Sequence, residues 1–367
     1  MNLNLREMKP EEAKTIQSLG MRSFLRSMEG FYVSKPTTAR VAEIDGKIVG
    51  GFIYGIETGV KSKFGVIDFF FVAPEYAGRG IGGALCEEGV SFMWRKGCDY
   101  LATIVRDDNV GSWAAFEKTG FIRASLPKVA SVLGLGGFIK LYVKHLYGLC
   151  TGCDMYFAKH PECTEPPPVY AKKTGAGQIV LHVFIHTLLV LALFFRGMGG
   201  GVDATDTFLM LSTSILPSLL IIFCGVVLFS FLGTLPSKRK WHYRMPTGGL
   251  LLSAVFSVFG LFLPMAGNWY PGRYENTQKF RMDLGLGAFL SWLYLIWLLT
   301  VMKLFGDELP FLNSDVQIIV VILLAFRLIP FPVVNLGSVR VYRWNKALYA
   351  VLAAASILVI ALRAIPV

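Results

Sequence analysis

The chain contains little of what several protein classes depend on. Among 367 residues there are only six cysteines and five histidines, and 36 lysines and arginines outnumber the 25 acidic residues. So few cysteines exclude a small secreted scaffold held together by many disulfides. Charged residues make up 17% of the chain against 54% hydrophobic residues, and the mean hydropathy is +0.53. This balance excludes a disordered chain and is too apolar for a protein that is soluble throughout.

The most informative motif lies at residues 71–85, which read FVAPEYAGRGIGGAL. An apolar strand is followed by a short turn with a proline, and glycines then open a helix. The first turn of a helix leaves backbone amides unpaired and carries partial positive charge, so it suits a phosphate group. The motif predicts a pyrophosphate site formed by Ala77, Gly78, Arg79, Gly80, Ile81, Gly82 and Gly83.

With its flanks, this motif resembles the acetyl-CoA site of the GNAT N-acetyltransferases, which follows the pattern V-x-P-x-x-[QR]-x-x-G-x-G-x-A-L. The matching positions are Val72, Pro74, Gly80, Gly82, Ala84 and Leu85, whereas Ala77 replaces the family's glutamine or arginine. Residues 107–121, DDNVGSWAAFEKTGF, are similar to a second family motif at Asn109, Ser112, Glu117, Lys118, Gly120 and Phe121. The alternative, a Rossmann-type dinucleotide loop, needs G-x-G-x-x-G early in a βαβ unit and fits poorly.

This resemblance implies a GNAT fold for residues 1–163, an α+β domain with a mixed, mostly antiparallel sheet flanked by helices. Local patterns agree with that fold. They predict a helix within residues 8–25, a hairpin around Asp45-Gly46 within 38–56, a strand at 64–72 buried on both faces, and a helix at 82–95.

The resemblance also implies that the domain binds acetyl-CoA as a co-substrate and transfers the acetyl group to an amine. Backbone amides around Phe71 and Val72 would hold the pantetheine arm, and Asn109 and Ser112 are further cofactor-binding positions. Asp68 is the candidate general base, because burial among aromatic residues would raise its pKa. The alternative is that Asp68 only accepts a backbone amide or pairs with a lysine.

The second motif departs from the family at Phe116, where relatives often carry a tyrosine that protonates the departing CoA sulfur. Phenylalanine cannot donate a proton, so Tyr76, Tyr156 or water would have to serve instead. Losing a general acid typically costs about two to four decades in rate. The alternative function is therefore a non-catalytic acyl-CoA sensor or scaffold that regulates a membrane partner.

From about residue 175 the chain consists largely of long apolar runs. The runs 179–195, 208–232, 284–305, 316–334 and 348–362 are long enough, or nearly so, to cross a bilayer, and 250–265 is a sixth run. Basic loops belong in the cytosol, and every loop obeys this rule if 250–265 dips into the membrane and returns. Five spans plus a re-entrant segment are thus favoured over six. The first residues show no signal peptide, which predicts a multi-pass protein of the cell membrane with a cytoplasmic N-terminal domain.

Two segments of the membrane half resemble, in order, segments of archaeal relatives of the site-2 intramembrane metalloproteases. They are 242–272, beginning HYRMPTGGLLL, and 326–349, beginning FRLIPFPVVNLG. The protease needs H-E-x-x-H and a third ligand, but the corresponding positions are Gly233–Lys238 and Asn335 or Gly337. We therefore expect a pseudoprotease with no metal site and no protease activity. For His182 and His186 in the first span, metal or proton handling is weighed against interhelical hydrogen bonding.

Three smaller patterns complete the interpretation. Cys150, Cys153, His160 and Cys163 are zinc-ligand types, but a strand at 155–159 would separate the two pairs. Residues 132–149 fit either a helix that lies on the bilayer or a strand and core helix covered by the membrane half. Residues 164–177 read as a linker, which leaves 178–367 as the transmembrane domain.

The sequence thus predicts a membrane-tethered N-acyltransferase with a cytosolic active site. Its expected partners are acetyl-CoA, the lipid bilayer and an amine substrate such as a membrane protein or peptide. Much of the net charge of +11 belongs to loops beside the predicted spans, so no nucleic-acid partner is needed to explain it.

Overall fold

A computed structural model of the chain describes residues 2–24, 33–59, 62–106, 109–147, 150, 152–162, 175–197, 204–245, 249–265, 267–271, 277–306, 308–309, 312, 316–330 and 336–363. The chain divides into two compact units, Met1–Lys172 and Lys173–Val367. Most of the predicted linker at 164–177 lies outside the described residues.

The N-terminal unit is built on one sheet of seven strands. They are β1 (Leu3–Glu7), β2 (Ala39–Ile44), β3 (Lys47–Thr58), β4 (Lys63–Val72), β5 (Tyr100–Arg106), β6 (Ile122–Arg123) and β7 (Cys153–Lys159). Their order in the sheet is β1-β2-β3-β4-β5-β7-β6. β4 and β5 run parallel, and the other described neighbours run antiparallel. The mixed, mostly antiparallel sheet predicted from the resemblance is therefore confirmed.

Helices cover both faces of this sheet. They are α1 (Ala13–Ser23), α2 (Ile81–Arg95), α3 (Val110–Lys118) and α4 (Leu126–Ile139), which continues as a π-helical turn at Lys140–Lys144. α2 and α3 pack on one face around Leu85 and Phe116. α1 and α4 pack on the opposite face, over separate clusters that contain Ile16 and Val129 respectively. The site described below lies on β4, which contributes to all three clusters.

Most locally predicted elements are present, with shifted ends. The hairpin turns at Asp45-Gly46 and the strand predicted at 64–72 is β4, although residues 68–70 are only half-buried. The helix predicted within 8–25 begins at Ala13, because Glu12 accepts the Lys9 amide at 2.7 Å and a 3₁₀ turn occupies Pro10–Glu12. The edge strand β1 was not predicted.

The second unit is a bundle of apolar helices. They are α5 (Ala176–Gly197), α6 (Ala204–Met210), α7 (Leu216–Leu232), α8 (Leu250–Val258), α9 (Gln278–Phe305), α10 (Gln317–Arg327), α11 (Ser338–Trp344) and α12 (Lys346–Arg363). A π-helical turn at Leu211–Ile215 joins α6 to α7. α9 packs against α7, α10, α11 and α12. In its buried core Trp292 donates to Ser356 Oγ at 2.8 Å, and Tyr294 Oη donates to the Ile221 carbonyl at 2.7 Å.

By length and composition, four helices in the described part of the chain could cross a bilayer: Leu126–Lys144, Ala176–Arg196, Thr205–Ser237 and Gln278–Phe305. The last three contain the runs predicted at 179–195, 208–232 and 284–305. The helix in the run predicted at 316–334 is α10, and its 11 residues extend only about 16 Å, half the hydrocarbon thickness. The first, in the N-terminal unit, packs one face into that unit's own core.

Candidate active site

The sheet of the N-terminal unit opens between β4 and β5. Their ladder runs from Phe64–Tyr100 to Ile67–Thr103 and stops there. Beyond it β4 continues along β3 to Val72, while β5 continues along β7 to Arg106. The two strands therefore enclose a wedge, in which the edge of β4 from Asp68 onwards is available to a ligand. The predicted pantetheine-binding residues Phe71 and Val72 lie on this edge.

A β-bulge coincides with the start of the wedge. Tyr54 of β3 pairs with Ile67 and its neighbour Ile53 pairs with Phe69, so Asp68 is the extra residue. A bulge bends its strand and increases the local twist, which accounts for the separation of β4 from β5 at this point. Thr103 Oγ1 and Tyr147 Oη both donate to the Ile67 carbonyl, at 3.1 and 2.8 Å, and fix the last paired residue.

The carboxylate of Asp68 contacts the imidazole of His145, which follows the π-helical turn after α4. Asp68 Oδ1 and His145 Nδ1 are 2.8 Å apart. His145 lies over Gly55 of β3, where an added Cβ would be 2.7 Å from the ring. The side chain of His145 is 7% exposed and that of Asp68 is 25% exposed, so the carboxylate is the part of the pair that solvent reaches.

A second carboxylate faces the other side of this imidazole. Glu57 Oε1 lies 3.4 Å from His145 Nε2 and accepts from Lys144 Nζ at 2.5 Å, and Lys140 Nζ is 3.7 Å from Glu57 Oε2. Burial alone would lower the pKa of His145, but the hydrogen bonds and charges of Asp68 and Glu57 outweigh it and raise that pKa above its usual value. Burial would raise the pKa of Glu57, but Lys144 and His145 together lower it.

The predicted phosphate turn lies at the far end of β4. Gly80 is the N-cap of α2 and has no side chain that would cap the first amides of that helix. Gly78 and Gly80 have φ values of +78° and +79°, a conformation that favours glycine. Ala77, Gly78, Arg79, Gly80 and Gly83 are exposed, whereas Ile81 is buried and Gly82 half-buried.

The phosphate turn and the wedge are continuous. A Cβ on Gly82 would lie 3.6 Å from both Phe70 and Val72, so the first turn of α2 packs directly over the wedge edge of β4. Asn109 and Ser112 lie at the start of α3, where the Asn109 carboxamide oxygen accepts the Ser112 amide at 3.4 Å as an N-cap. α3 packs beside α2. The arrangement can thus hold an extended ligand that carries a pyrophosphate at one end.

Phe116 and the two tyrosines proposed as proton donors in its place, Tyr76 and Tyr156, lie in different parts of the unit. Phe116 of α3 is buried, and its ring centroid lies 5.6 Å from that of Phe70 on β4. The ring of Tyr76 lies 5.2 Å from the guanidinium of Arg79, which places it on the phosphate turn. Tyr156 is buried in β7, in register with Thr103. Tyr156 therefore lies beside Thr103, the last residue of β5 that pairs with β4 before the wedge begins.

Sequence reasoning did not identify three residues of this site: His145, Glu57 and Lys144. The available signal was the pair Lys144-His145, two polar residues that interrupt the apolar stretch 132–149. No feature of the neighbouring sequence predicts that His145 contacts Asp68, which is 77 residues away in the chain.

The described residues contain no group of three metal-ligating side chains that could share an ion. Cys153 begins β7 and His160 follows its end, so the strand holds them about 20 Å apart. Cys163, the fourth residue of this pattern, and Asn335 lie outside the described residues. In the second unit His186 accepts the Met265 amide at 3.0 Å and contacts the His182 carbonyl at 2.8 Å, which occupies both of its ring nitrogens.

Comparison with known families agrees with this geometry. Residues 5–121 match the acetyltransferase (GNAT) family, and the match covers about a third of the chain and lies within the N-terminal unit. It includes the β4 bulge, the phosphate turn and α3.

Solved acetyltransferases are similar to part of this chain. A GNAT family acetyltransferase from Brucella melitensis in complex with acetyl-CoA is 22% identical, covers 30% of this chain and 81% of its own, and has a TM-score of 0.27. An IAA acetyltransferase from Bacillus cereus is 25% identical over 34% of this chain and 79% of its own, with a TM-score of 0.28. The ribosomal-protein-S18-alanine N-acetyltransferase from Escherichia coli is 16% identical over 46% of this chain and 99% of its own, with a TM-score of 0.31.

These TM-scores are low, and the family assignment rests on the sequence match and the motifs that it contains. The strands, the phosphate turn and α3 of the matched region occur in the predicted order. Residues 5–121 of this chain form an acetyltransferase domain of the GNAT family.

Proposed function

We propose that the protein is a membrane-tethered N-acyltransferase that moves an acetyl group from acetyl-CoA to the amine of a membrane-proximal substrate. One observation carries this proposal. The bulge that opens the wedge also places Asp68, backed by His145, at the start of that wedge. A donor bound along β4 and a proton acceptor for the amine would therefore meet at the same point.

The acetyl donor occupies the wedge and the phosphate turn. Its pyrophosphate lies against the first amides of α2, where Ala77–Gly83 leave the backbone open, and Arg79 adds a positive charge. Its pantetheine arm runs along β4 at Phe71 and Val72, with Asn109 and Ser112 bordering the channel from α3. The thioester carbonyl is polarised by backbone amides at the edge of β4.

Asp68 accepts the proton of the incoming ammonium group. Its Oδ1 is held by His145, which leaves Oδ2 to receive the proton, and the freed nitrogen lone pair forms a bond with the thioester carbon. The C–S bond then breaks, the nitrogen loses its second proton to water, and the CoA thiolate takes up a proton from water, since Phe116 has no hydroxyl. His145 acts here as a positioning residue: its imidazole lies between the Asp68 and Glu57 carboxylates, whose hydrogen bonds and charges raise its pKa.

We further propose that the second unit holds the enzyme in the membrane and has no protease chemistry. α8 lies between β8 (Trp241–Arg244) and β9 (Asn268–Pro271), which pair antiparallel with Arg244 opposite Asn268. Both ends of this segment therefore meet, and nine helical residues extend only about 14 Å. This supports a segment that enters the membrane and returns. Residues Gly233–Lys238 carry no metal-ligating side chain, which supports a pseudoprotease scaffold.

The rival function, an acyl-CoA sensor without turnover, is favoured by Phe116 alone. The two functions differ only after the donor has bound, so both can be tested on the same preparation. The full chain, reconstituted in lipid nanodiscs, is titrated with acetyl-CoA by calorimetry and then assayed for CoA release. The acceptors are free amino acids, peptides and an aminolipid.

We expect CoA release with at least one acceptor class. Asp68→Asn should lower kcat by about two to four decades and leave the affinity for acetyl-CoA unchanged, because Asp68 acts on the acceptor. Asp154→Asn is the matched control, since Asp154 is a mostly buried carboxylate of the same sheet, 3.5 Å from Arg123. Tight binding of acetyl-CoA without release on any amine would reject the enzyme and leave the sensor. An equal loss of kcat in both variants would mean that Asp68 supports the fold and does not act as the base.

A further inference from the structure

The helical segment that leads to His145 is apolar on two sides. A break at Gly134, with φ +68° and ψ 169°, separates it from the first part of α4. Phe138, Leu141 and Tyr142 pack into the core of the N-terminal unit. Buried contacts with the sheet thus account for only one face of the segment.

A second face carries large apolar side chains in contact with solvent. Leu135, Ile139, Val143 and Leu146 are 74%, 49%, 64% and 52% exposed. The first three recur at intervals of four residues, which places them along one side of the helical segment, and Leu146 follows just after its end at Lys144. We call these four residues the apolar stripe. Scattered exposed apolar residues need no explanation, but a continuous row of this kind marks an interaction surface.

Cations border the apolar stripe. Lys140 and Lys144 are 44% and 65% exposed although they also approach Glu57, and Lys128 is exposed in the first turn of α4. An apolar face bordered by lysines is typical of helices that lie in the surface of an anionic bilayer. The helix Leu126–Lys144 is also long and apolar enough to cross a bilayer, although one of its faces packs into a protein core.

A bilayer is within reach of this surface. Residues 163–175 join the N-terminal unit to α5, and a chain of that length extends at most about 45 Å. We propose that the apolar stripe inserts into the surface of an anionic bilayer and docks the N-terminal unit on the membrane. His145 lies between Val143 and Leu146 of the stripe, so docking would hold the Asp68–His145 pair near the lipid headgroups. The acceptor would then be an amine at the membrane surface.

This inference rests on the proposed membrane placement of the second unit, and the two can be tested separately. Nitroxide labels are attached at Ile139→Cys and Val143→Cys in the full chain, in nanodiscs that contain anionic lipid. The exposed or half-buried native cysteines and the one outside the described residues are first replaced by alanine: Cys150, Cys163 and Cys224. Collision with oxygen reports lipid, and collision with a water-soluble nickel chelate reports water.

At both stripe positions we expect oxygen collisions to exceed nickel collisions several-fold, and at Lys128→Cys the reverse. Phe184→Cys on α5, 57% exposed, reports on the second unit. Lipid contact at Phe184 with water contact at the stripe would reject only the docking proposal. Water contact at Phe184 would reject the membrane placement itself. Shielding of the stripe from both reagents would mean that protein covers it, and would also reject docking.

A double substitution tests the consequence for the reaction. The double variant carries Leu135→Glu and Ile139→Glu, both outside the Asp68–His145 site. It should bind acetyl-CoA with unchanged affinity and turn over soluble amines at an unchanged rate. Each apolar anchor typically contributes about tenfold to membrane partitioning. Turnover of a nanodisc-anchored amine should therefore fall by one to two decades. Equal turnover of the anchored amine in the variant and the parent would contradict docking.

Discussion

The substitution Phe116→Tyr tests how the donor lies in the wedge. Phe116 is 2% exposed, and its ring packs 5.6 Å from Phe70 and 5.1 Å from Phe121. A hydroxyl added there is removed from water, and a buried hydroxyl without a partner costs about 1–3 kcal/mol. We propose that the CoA sulfur lies beside Phe116, because the family resemblance implies a proton donor for the sulfur at this position, and that sulfur then becomes the missing partner. The penalty should therefore depend on whether acetyl-CoA is bound.

Without acetyl-CoA we expect Phe116→Tyr to lower the free energy of unfolding by about 1–3 kcal/mol, and with saturating acetyl-CoA we expect most of this loss to disappear. The new hydroxyl can protonate the leaving thiolate, so kcat should rise. General acids give about two to four decades, and because water already performs part of this task we expect about one to two. Thermal unfolding with and without acetyl-CoA and continuous thiol detection measure both effects.

Phe121→Tyr is the matched control. Phe121 is equally buried and contacts Phe116, but it follows α3 and has no proposed contact with the donor. The added hydroxyl should lower the free energy of unfolding equally with and without acetyl-CoA, and kcat should not rise. If Phe116→Tyr behaves like this control, the hydroxyl does not reach the sulfur. The proposed position of the leaving group beside α3 would then be wrong.

Three further predictions concern other contacts. Because the pKa of His145 is raised by folding, its charged hydrogen bonds stabilise the protein below pH 6.5 and are lost as the pH rises through the folded pKa. In thermal unfolding, His145→Gln should lower the free energy of unfolding by about 1.5–3 kcal/mol at pH 5.5 and by much less at pH 9. An equal loss at both pH values would contradict this reasoning. Gly80→Ala forces φ +79° on a Cβ residue and should weaken acetyl-CoA binding about tenfold in calorimetry, whereas Gly97→Ala, which forces φ +75° outside the phosphate turn, should not. Gly267→Ala would place a Cβ in steric overlap with Tyr243 Oη, so it should markedly lower the melting temperature of the detergent-solubilised protein; an unchanged value would refute that packing.

The features that could be predicted from the sequence are those confined to a short stretch of chain. The phosphate turn needs a strand, glycines and a helix within fifteen residues, and the β2–β3 hairpin needs Asp45-Gly46 between two apolar runs. In both cases the residues that set the backbone geometry are also the ones that form the feature. The family motif at 107–121 was detectable for the same reason.

The Asp68–His145 pair depends on distant parts of the chain. It needs the bulge in β4, which appears only when β3 is paired with it, and the π-helical turn that ends beside Gly55. As the alternative to a general base, the sequence suggested that Asp68 contacts a backbone amide or a lysine. In the structure its partner is the imidazole of His145. The apolarity of 132–149 drew attention to the membrane, although the same stretch delivers a residue of the candidate active site.

In the second unit, apolar composition located the helices but not their ends. The run predicted at 316–334 remains apolar beyond Arg327, yet α10 ends there. Pro330 and Pro332 follow, and the residue before a proline is disfavoured in helical conformation. Arg327 itself is buried and donates to Ser291 Oγ at 3.0 Å. A count of apolar residues cannot detect either constraint.

The bulge at Asp68 links the fold of the N-terminal unit to its chemistry. Without the extra residue, the side chains of β4 would alternate between the two faces of the sheet without interruption. Phe70 and Val72 would then lie on the face away from α2. With it, Val66 contributes to the core under α4, while Phe70 and Val72 pack below the first turn of α2. The same residue that ends the β4–β5 ladder therefore turns the wedge edge towards the phosphate turn. Its own carboxylate is left at the apex beside His145. The proposed donor channel and the proposed proton acceptor thus share one structural cause, which explains why they coincide although the residues that complete them are far apart in the chain.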